Sequence, residues 1–357
     1  MKGIYIWGTG RRARQIVRAF FDELVECDIR GFIDNFSEER SFNGWSVFPP
    51  DVLRKQQDLN IFIAVDNRKP IVDQIARDYP YYSERILDIR FFEKLKIFAR
   101  YRNTNDPEIQ EILDYLEDES LTWFNYPFVN KYDNSVRVKK DENLGLFYFI
   151  YQDKRIYLSR KFHNDCMARE YVKSLYIEQD EQSPHRYLTR TYDVPDQSIV
   201  IDAGCAEGFF SIGIIERVQH IYIFEPDPMW CEALKYTFEP FKKKVTIVEK
   251  ALSNFVYGKT TTIDNEIKDL NVDFVKMDIE GEELYALQGA RRTIGHSPRI
   301  KCVVCTYHQE FAYDAIKLFF EHIGLKTEHS RGYMWFDERY NEMRPFVLRR
   351  GLIRAYK

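Results

Sequence analysis

The fold is decided by the stretch "SIVIDAGCAEGFFSIGI", Ser198–Ile214. An apolar run ends at Asp202, and Gly204 and Gly208 bracket a turn, after which apolar residues recur with a helical period. This order predicts a buried strand that turns sharply into a helix. Glycines in such a turn let the backbone approach a ligand closely, and the first turn of the helix offers unpaired N–H groups. The turn is therefore the first candidate for a ligand-binding site.

The same alternation of strand and helix continues over residues 196–357. Strand-like segments such as "HIYIFEPD", "VDFVKMDIEG" and "IKCVVCTYH" are each followed by a helical segment. Two late segments, "RGYMWFD" and "PFVLRRGLIRAYK", are expected to close the sheet as a hairpin. The pattern predicts a doubly wound α/β sheet, in which ligands bind at the carboxyl ends of the strands.

The rest of the chain divides into two regions. Residues 1–95 alternate strand, helix and strand, which predicts a small parallel Rossmann-like α/β domain. Residues 96–195 contain an acidic helix, "DPEIQEILDYLEDE", an aromatic hairpin around Gln152–Lys154 and a second helix, "DCMAREYVKSLYIEQD". We interpret this middle region as a connecting or cap segment that precedes the third domain at 196–357.

Composition excludes several classes of protein. The 357 residues carry a formal net charge of -4, so no basic surface for nucleic acid is indicated. No apolar run reaches the roughly 18 residues of a membrane span. The six cysteines include only one close pair, "CVVC", which favours structural free thiols over a zinc site. Free thiols, and an N-terminus that resembles a first strand rather than an export signal, favour a cytoplasmic protein.

The chemistry of the turn favours a cationic ligand. Its spacing is D-x-G-x-x-x-G, which differs from the G-x-G-x-x-G of dinucleotide-binding folds. Pyrophosphate is a poor guest beside two carboxylates, Asp202 and Glu207, whereas a positive charge is a good one. Glu225 ends the second strand, where an acid can accept both hydroxyls of a ribose. A ligand with a ribose, a positive charge and no phosphate is S-adenosylmethionine.

Residues from about 196 to 345 resemble class I S-adenosylmethionine-dependent methyltransferases, and specifically the FkbM family. The motifs that carry the resemblance are "VIDAGCAEGFFS", "FEPDP", "ALSN" and "VDFVKMDIEGEE". Proteins of this family mostly methylate hydroxyl oxygens on sugars, polyketides or related metabolites. The resemblance implies three sets of cofactor-binding residues: Asp202, Gly204 and Gly208 at the methionine end, Glu225 on the ribose, and the segment that contains Ser253 and Asn254 near the adenine.

Three further residues are candidates for catalysis. Asp278 and Glu280 follow the fourth strand and His308 follows the fifth, so their side chains are expected to converge beside the methyl group. Methyl transfer to a hydroxyl requires that the nucleophile be aligned and its proton removed. One of the three can act as the base, with Asp278 also contacting the cofactor. Alternatively, they can hold a divalent ion that lowers the pKa of the hydroxyl; we favour the route without a metal.

A histidine before the sheet is a candidate for a lid. His185 lies in "EQDEQSPHRYLT", immediately ahead of the first strand of the predicted third domain. A leading segment of this kind can close over a bound cofactor or contact the substrate. The alternative is a surface turn with a solvated histidine.

The first domain carries a second glycine turn, "WGTGRRA". Gly8 and Gly10 follow a strand and precede a helix, Arg11 can add positive charge, and Asp34 ends the next strand in the ribose position. This portion resembles the Rossmann-like leader domain of some bacterial sugar acyltransferases, which implies that it can hold a nucleotide sugar. The alternative is a degenerate fold that only presents a docking face.

We therefore expect an S-adenosylmethionine-dependent O-methyltransferase that acts on a glycan, a sugar nucleotide or a related metabolite, and that can form a homo-oligomer. Two other classes stay open. One is a nucleotide-sugar or NAD-dependent oxidoreductase or epimerase that uses the first domain. The other is a non-catalytic scaffold that retains cofactor-binding folds.

Overall fold

The computed structural model describes residues 3–56, 58–132, 136–336 and 347–357 of the chain. They form two compact units, of which the first runs to Thr122 and the second comprises Trp123–Phe336 and Val347–Lys357. Both units are built on mainly parallel sheets with helices, so the predicted α/β class is confirmed. The aromatic hairpin and the helix after it belong to the second unit. The domain boundaries predicted near residues 95 and 195 stay predictions.

The first unit contains a six-stranded sheet in the order β3-β4-β2-β1-β5-β6. All neighbouring strands are parallel except β3 and β4, which form a tight antiparallel pair. The strands are β1 Ile4–Trp7, β2 Ile29–Ile33, β3 Ser41–Phe42, β4 Trp45–Phe48, β5 Asn60–Ile63 and β6 Ile86–Leu87. The helices are α1 Arg11–Ala19, α2 Phe21–Glu26, α3 Lys69–Asp78, α4 Arg90–Tyr101 and α5 Pro107–Asp118.

The apolar stripe of Ala13, Ile16, Val17, Phe20, Phe21 and Leu24 predicts one helix, but the structure divides it into two short ones. Phe20 leaves the helical conformation, with φ −130° and ψ 29°, and separates α1 from α2. Ala13 and Leu24 on the stripe are buried as expected, whereas Phe21 is 51% exposed because the chain changes direction before it. Asp106 caps α5, because its side chain accepts a hydrogen bond from the backbone N–H of Glu108 at 2.9 Å.

The second unit contains a seven-stranded sheet in the order β12-β11-β10-β15-β16-β20-β17. The strands are β7 Lys139–Asp141, β8 Leu146–Tyr151, β9 Lys154–Tyr157, β10 Ile199–Ala203, β11 His220–Phe224, β12 Val245–Val248, β13 Ala251–Leu252, β14 Thr260–Thr261, β15 Phe274–Met277, β16 Lys301–Cys305, β17 Lys326–His329, β18 Tyr333–Trp335, β19 Leu348–Arg350 and β20 Leu352–Tyr356. The helices are α6 Asp165–Glu178, α7 Phe209–Ile214, α8 Pro228–Thr237, α9 Ile263–Ile267, α10 Glu283–Gln288, α11 Arg291–His296 and α12 Ala312–His322. The order reverses at β10, whose carboxyl end is therefore a topological switch point where ligands bind.

The sheet closes differently from the expected hairpin of two late segments. β20 runs antiparallel between β16 and β17, and β17 supplies the edge strand. β18 and β19 pair with each other in a separate two-stranded ladder. The reason is visible in the sequence, because Gly351 interrupts the last apolar segment and lets its two halves join different ladders.

The aromatic hairpin forms as predicted. β8 and β9 are antiparallel, and the two turn residues, Gln152 and Asp153, both have positive φ, at 47° and 61°. That is the conformation of a two-residue type I′ turn, which matches the twist of the strands. β7 adds a third strand. Asn164 caps α6 through a hydrogen bond from the backbone N–H of Met167 at 2.9 Å.

Strand β10 is buried in the centre of the sheet and delivers Gly204 to a tight contact. Gly204 has a φ of +74°, and a Cβ at this position would lie 1.8 Å from the backbone oxygen of Asp278, after β15. Only glycine fits both the left-handed conformation and the close approach. In the described part of the chain, no helix is both long and apolar enough to cross a membrane.

We expect Gly204→Ala to lower the free energy of unfolding by roughly 2–4 kcal/mol, because it adds backbone strain to a clash with a neighbouring strand. The measurement is chemical denaturation of the full chain. Gly295→Ala is the matched control, since Gly295 lies in α11 with no atom near its Cβ position and should gain up to about 1 kcal/mol. Equal stability of the two variants would contradict the close contact at Gly204.

Candidate active site

A buried ion pair lies beneath the glycine turn. Asp202 on β10 and Lys276 on β15 are partners in the register of the two parallel strands, and Lys276 Nζ lies 3.1 Å from Asp202 Oδ1. Lys276 also donates to the carbonyl oxygen of Gly204 at 2.5 Å, and Ser211 Oγ donates to Asp202 Oδ2 at 2.6 Å. Asp202 is fully buried. Asp202 therefore stabilises the turn through its ion pair with Lys276 and its hydrogen bond from Ser211.

Burial and charge act in opposite directions on Lys276. Burial lowers the pKa of its ammonium, but the carboxylates of Asp202 and Asp278 outweigh burial and raise the pKa above its ordinary value. The side chain is therefore charged at neutral pH. Lys276 gives no functional signal in the sequence, because it is a lysine within an apolar strand whose partner lies on a neighbouring strand.

Glu225 lies where the sequence predicts it, immediately after β11. Its two carboxylate oxygens accept hydrogen bonds from the backbone N–H of Ala206 at 3.1 Å and of Asp227 at 2.9 Å. Each oxygen keeps a further lone pair that can accept a hydroxyl. Burial raises the pKa of Glu225, and the two backbone hydrogen bonds reduce the effect. The carboxylate is thus fixed at a strand end, with capacity for a ribose.

Glu207 is buried inside the turn. Its carboxylate accepts hydrogen bonds from the backbone N–H of Phe209 at 3.2 Å and from the hydroxyl of Tyr171 on α6. Burial raises the pKa of Glu207, while the two donors oppose that rise. The next residue, Gly208, has a φ of +92° and begins α7. Tyr171 was missed from the sequence because α6 precedes the sheet.

Asp278 is the hub of the site. Its Oδ2 accepts a hydrogen bond from the hydroxyl of Tyr187 at 2.8 Å and lies 3.5 Å from Nε2 of His185. Its Oδ1 lies 3.4 Å from the hydroxyl of Tyr307 and 3.4 Å from Nε2 of His308. The strand ends therefore bring Asp278 and His308 together as predicted from their positions in the sequence.

The surroundings of Asp278 make it a weak base. Burial raises the pKa of its carboxyl, but His185, His308 and Lys276 outweigh burial and hold the pKa far below its ordinary value. The carboxylate stays ionised and has little affinity for a proton. Asp278 is suited to orient groups and to attract positive charge, rather than to remove a proton from a hydroxyl.

His308 is held by an acid that the sequence analysis did not name as a catalytic candidate. Its Nδ1 lies 3.0 Å from Oε1 of Glu283, which is almost fully buried. The same Oε1 accepts backbone hydrogen bonds from Ile279 at 3.0 Å and Gly281 at 3.3 Å. Because the carboxylate is fixed by the backbone, it fixes the imidazole in turn and leaves Nε2 toward Asp278. This is the base-and-orienter arrangement of nucleophile-activating sites.

The pKa of His308 follows from the same contacts. Burial lowers the pKa of the imidazole, but Glu283, Asp278 and Glu280 outweigh burial and raise it above its ordinary value. Glu280 contributes as a nearby charge, with Oε2 at 3.7 Å from Nε2 of His308, although its side chain is 88% exposed. Glu280 is thus at the rim of the site, in a left-handed conformation with φ +60°.

The segment predicted near the adenine, Ala251 to Asn254, comprises β13 and the two residues after it. The backbone N–H of Ser253 donates to the carbonyl of Thr261 at 3.0 Å, and Asn254 Nδ2 donates to Gln288 Oε1 at 2.9 Å. Ser253 is buried and Asn254 is exposed. Within the described residues, neither forms a hydrogen bond or ion pair with the cluster around Asp278.

His185 is a buried residue and not a solvated one. It is 1% exposed, and its ring lies against Tyr187 and Tyr307, with centroid distances of 5.0 and 5.2 Å. Nε2 lies 3.5 Å from both Asp278 Oδ2 and the thiol of Cys305. His185 is therefore a buried neighbour of Asp278 and supports its carboxylate. The role of His185 as a lid or substrate contact stays a prediction.

Two clusters of side chains have the donor types of a metal site, and they share Asp278. The ligand atoms of His185, Asp278 and Cys305 lie within 4.8 Å of one another, as do those of Asp278, Glu283 and His308. In both clusters, hydrogen bonds and ion pairs among the protein's own groups account for the geometry. The cysteines of "CVVC" are both free and buried.

The glycine turn of the first unit is held by its own acid. Asp34 Oδ2 accepts hydrogen bonds from the backbone N–H and the hydroxyl of Thr9, at 3.0 and 2.7 Å, and Oδ1 accepts from the backbone N–H groups of Phe36 and Ser37. Asp34 therefore has its acceptors occupied. Gly8 has φ +119° and packs against the backbone of Ala64.

The other two predicted residues of this turn, Gly10 and Arg11, are exposed. Gly10 precedes α1 with no atom near its Cβ position, and exposed Arg11 lies 3.2 Å from Asp66. The nucleotide site of the first unit stays a prediction.

Comparisons with known proteins give one family match and several distant structural similarities. The chain matches the Methyltransferase FkbM domain over residues 159–351. The crystal structure of methyltransferase FkbM from Methylobacillus flagellatus KT has 16% identity and a TM-score of 0.43, covering 99% of this chain and 90% of that one. The precorrin-6y C5,15-methyltransferase from Geobacter metallireducens GS-15 has 17% identity and a TM-score of 0.33, covering 46% and 83%. M. jannaschii TYW2, in complex with AdoMet, has 13% identity and a TM-score of 0.35, covering 62% and 87%. No curated protein matches the chain.

We expect Lys276→Met to lower the free energy of unfolding by about 3–5 kcal/mol, because it leaves Asp202 charged and buried without a partner. Adding Asp202→Asn should recover part of this loss, which chemical denaturation of both variants can measure. Lys317→Met is the control. Its exposed ion pair with Glu321 at 3.7 Å should be worth less than about 0.5 kcal/mol. A double variant no more stable than Lys276→Met would contradict the coupling.

Proposed function

The chain belongs to the FkbM methyltransferase family, and we propose that it transfers a methyl group from S-adenosylmethionine to a hydroxyl oxygen of a glycan, a sugar nucleotide or a related metabolite. The observation that carries this proposal is the pair of Glu283 and His308 beside an acid-lined glycine turn. Transfer to a hydroxyl releases a proton, so the site needs a group that can take it. An imidazole fixed by a buried carboxylate is such a group.

The acids around the turn fit the methyl donor. Glu207 and Glu225 are buried and Asp278 is 19% exposed, and burial raises the pKa of the first two. Buried carboxylates are stabilised when a cation lies beside them. When bound, S-adenosylmethionine supplies an electrophilic methyl group on a positively charged sulfur. The residues present therefore suit this cofactor better than they suit a phosphate-rich dinucleotide.

The chain's own groups divide the work of the reaction. Glu225 would accept the ribose hydroxyls through its remaining lone pairs, and Gly204 lets the turn pack against the backbone of Asp278. His308 accepts the proton of the acceptor hydroxyl at Nε2 as the oxygen becomes nucleophilic. Glu283 holds the ring and stabilises the imidazolium that forms. Asp278 stays ionised and orients the groups around it.

Two features support a sugar as the acceptor. The family resemblance points to hydroxyls of sugars and related metabolites. In addition, the ring of Phe336 lies 5.6 Å from the ring of His308 and 5.2 Å from that of Tyr307, so aromatic faces adjoin the base. Aromatic side chains pack well against the apolar faces of sugar rings, while Asp278 and Glu280 can accept their hydroxyls.

We expect His308→Ala to lower turnover by about 10²- to 10⁴-fold while the affinity for S-adenosylmethionine stays nearly unchanged, because the base acts on the acceptor and not on the donor. Radiolabelled methyl transfer to a panel of sugar nucleotides and glycans measures turnover, and calorimetry measures affinity. His296→Ala, at an exposed position of α11, is the control. Full activity in the His308 variant would overturn the assignment of the base. Activity lost on chelation and restored by one divalent ion would replace it with the metal-assisted route.

We expect Glu283→Gln to move the acidic limb of the pH–rate profile to lower pH. The base must be neutral, so turnover rises as pH rises through the pKa of His308. Because the negative charge of Glu283 raises that pKa, its removal lowers the pKa and the limb follows. The profile of kcat against pH tests this, with Glu282→Gln, at an exposed neighbouring residue, as the control. A limb that stays in place would assign it to another group.

A further inference from the structure

Glu178 occupies a defined place beside the glycine turn. It is the last residue of α6 and lies seven residues after Tyr171, so the two share one face of the helix, about two turns apart. Tyr171 donates its hydroxyl hydrogen bond to Glu207 within the turn. The face of α6 that carries Glu178 is therefore the face that packs on the glycine turn.

The next residue ties the end of α6 to Asp278. Gln179 accepts a hydrogen bond from the backbone N–H of Tyr187 at 3.1 Å and donates to the carbonyl of His185 at 3.2 Å. The hydroxyl of Tyr187 in turn donates to Asp278. Glu178 thus lies at the point where α6 passes from the glycine turn to the hub of the site.

The charged groups that face Glu178 come from several elements. Asp278, Glu207 and Glu280 repel its negative charge, and Lys276 is the cation that attracts it. Burial and then the acids raise the pKa of Glu178 to about 8. Glu178 also acts on three tyrosines with raised pKa values, which are neutral at pH 7: Tyr171, Tyr187 and Tyr307.

Glu178 differs from the other acids of the site in having no partner. Glu207, Glu225, Asp278 and Glu283 each accept hydrogen bonds from backbone or side-chain donors. Among the described residues, the carboxyl group of Glu178 has no hydrogen-bond or ion-pair partner. In a region already rich in negative charge, ionising a partly buried carboxyl without a partner costs free energy, and a bound cation would offset that cost.

We propose that the carboxylate of Glu178 binds the positively charged sulfur of the methyl donor. The inference rests on the proposed function and adds a residue to its cofactor site. The sulfur must lie beside the acceptor oxygen, and hence beside Asp278 and His308, because the methyl group passes between the two atoms. Gln179, the residue after Glu178, is hydrogen-bonded to the backbone of Tyr187, whose hydroxyl binds Asp278, so the end of α6 lies on that side of the turn.

The proposal includes a proton balance. Without bound S-adenosylmethionine, Glu178 is largely protonated at neutral pH. The positive charge of the sulfonium favours the ionised form of Glu178. Binding of the donor therefore releases that proton to solvent, and no bond of the ligand changes. S-adenosylhomocysteine has the same amino acid, ribose and adenine but an uncharged sulfur. It should bind without this release from Glu178.

The test is calorimetric titration of the full chain with S-adenosylmethionine and S-adenosylhomocysteine at pH 7, in buffers of different ionisation enthalpy. In the wild type we expect release of about one more proton with the first ligand than with the second. Glu178→Gln should abolish that difference and reduce the preference for S-adenosylmethionine about 10-fold. Glu181→Gln, at an exposed residue three positions on, should leave both quantities unchanged.

The outcomes separate the two proposals. A wild-type chain that binds neither ligand would refute the proposed function itself. A wild-type chain that binds both, together with a Glu178→Gln variant that keeps the proton difference and the preference, would refute only the role of Glu178. Circular dichroism of the variant establishes that it is folded, and retained binding of S-adenosylhomocysteine establishes that its pocket is intact.

Discussion

The ion pair of Asp202 and Lys276 is the interaction on which the site depends. It joins neighbouring parallel strands at their carboxyl ends, and the lysine also binds the carbonyl of Gly204. Two buried charges are costly to desolvate, and they are stable here because each has further hydrogen-bonding partners. The pair thereby fixes where β10 ends and the glycine turn begins. The close approach of Gly204 to Asp278 and the start of α7 both follow from that point.

Once the turn is fixed, the protein separates its acids by environment. Asp278 faces histidines and a lysine, so its pKa is held low, whereas burial and the neighbouring acids outweigh Lys276 and raise the pKa of Glu178. Carboxyl groups of similar intrinsic acidity thus acquire different roles, as in other sites where neighbouring carboxyls are tuned apart. An ionised carboxylate with low proton affinity orients other groups. The proton affinity needed at neutral pH is found instead in His308, whose pKa is raised by Glu283.

The sequence allowed the fold and part of this site to be predicted because those features are local. A strand, a glycine turn and an acid at the next strand end can be recognised along the chain, and the parallel sheet then brings Asp278 and His308 to one edge. Lys276, Glu283 and Glu178 could not be found in that way. Lys276 depends on the register between strands, Glu283 resembles an ordinary acid at a helix start, and Glu178 lies on a helix that precedes the sheet. Glu280 was predicted for the same reason as Asp278, because both follow the same strand, yet the side chain of Glu280 is 88% exposed.

The first unit illustrates why a local motif is weaker than a site. Its glycine turn has the spacing of a dinucleotide fold, and Asp34 lies at the predicted strand end. There, however, the acid turns back and accepts hydrogen bonds from Thr9 and from the loop that follows it. In the second unit Glu225, at the equivalent strand end, is held by two backbone donors and keeps a lone pair on each oxygen. The difference lies in how many acceptors the protein itself uses, because a carboxylate whose acceptors are all occupied must break internal hydrogen bonds before it can bind a ribose.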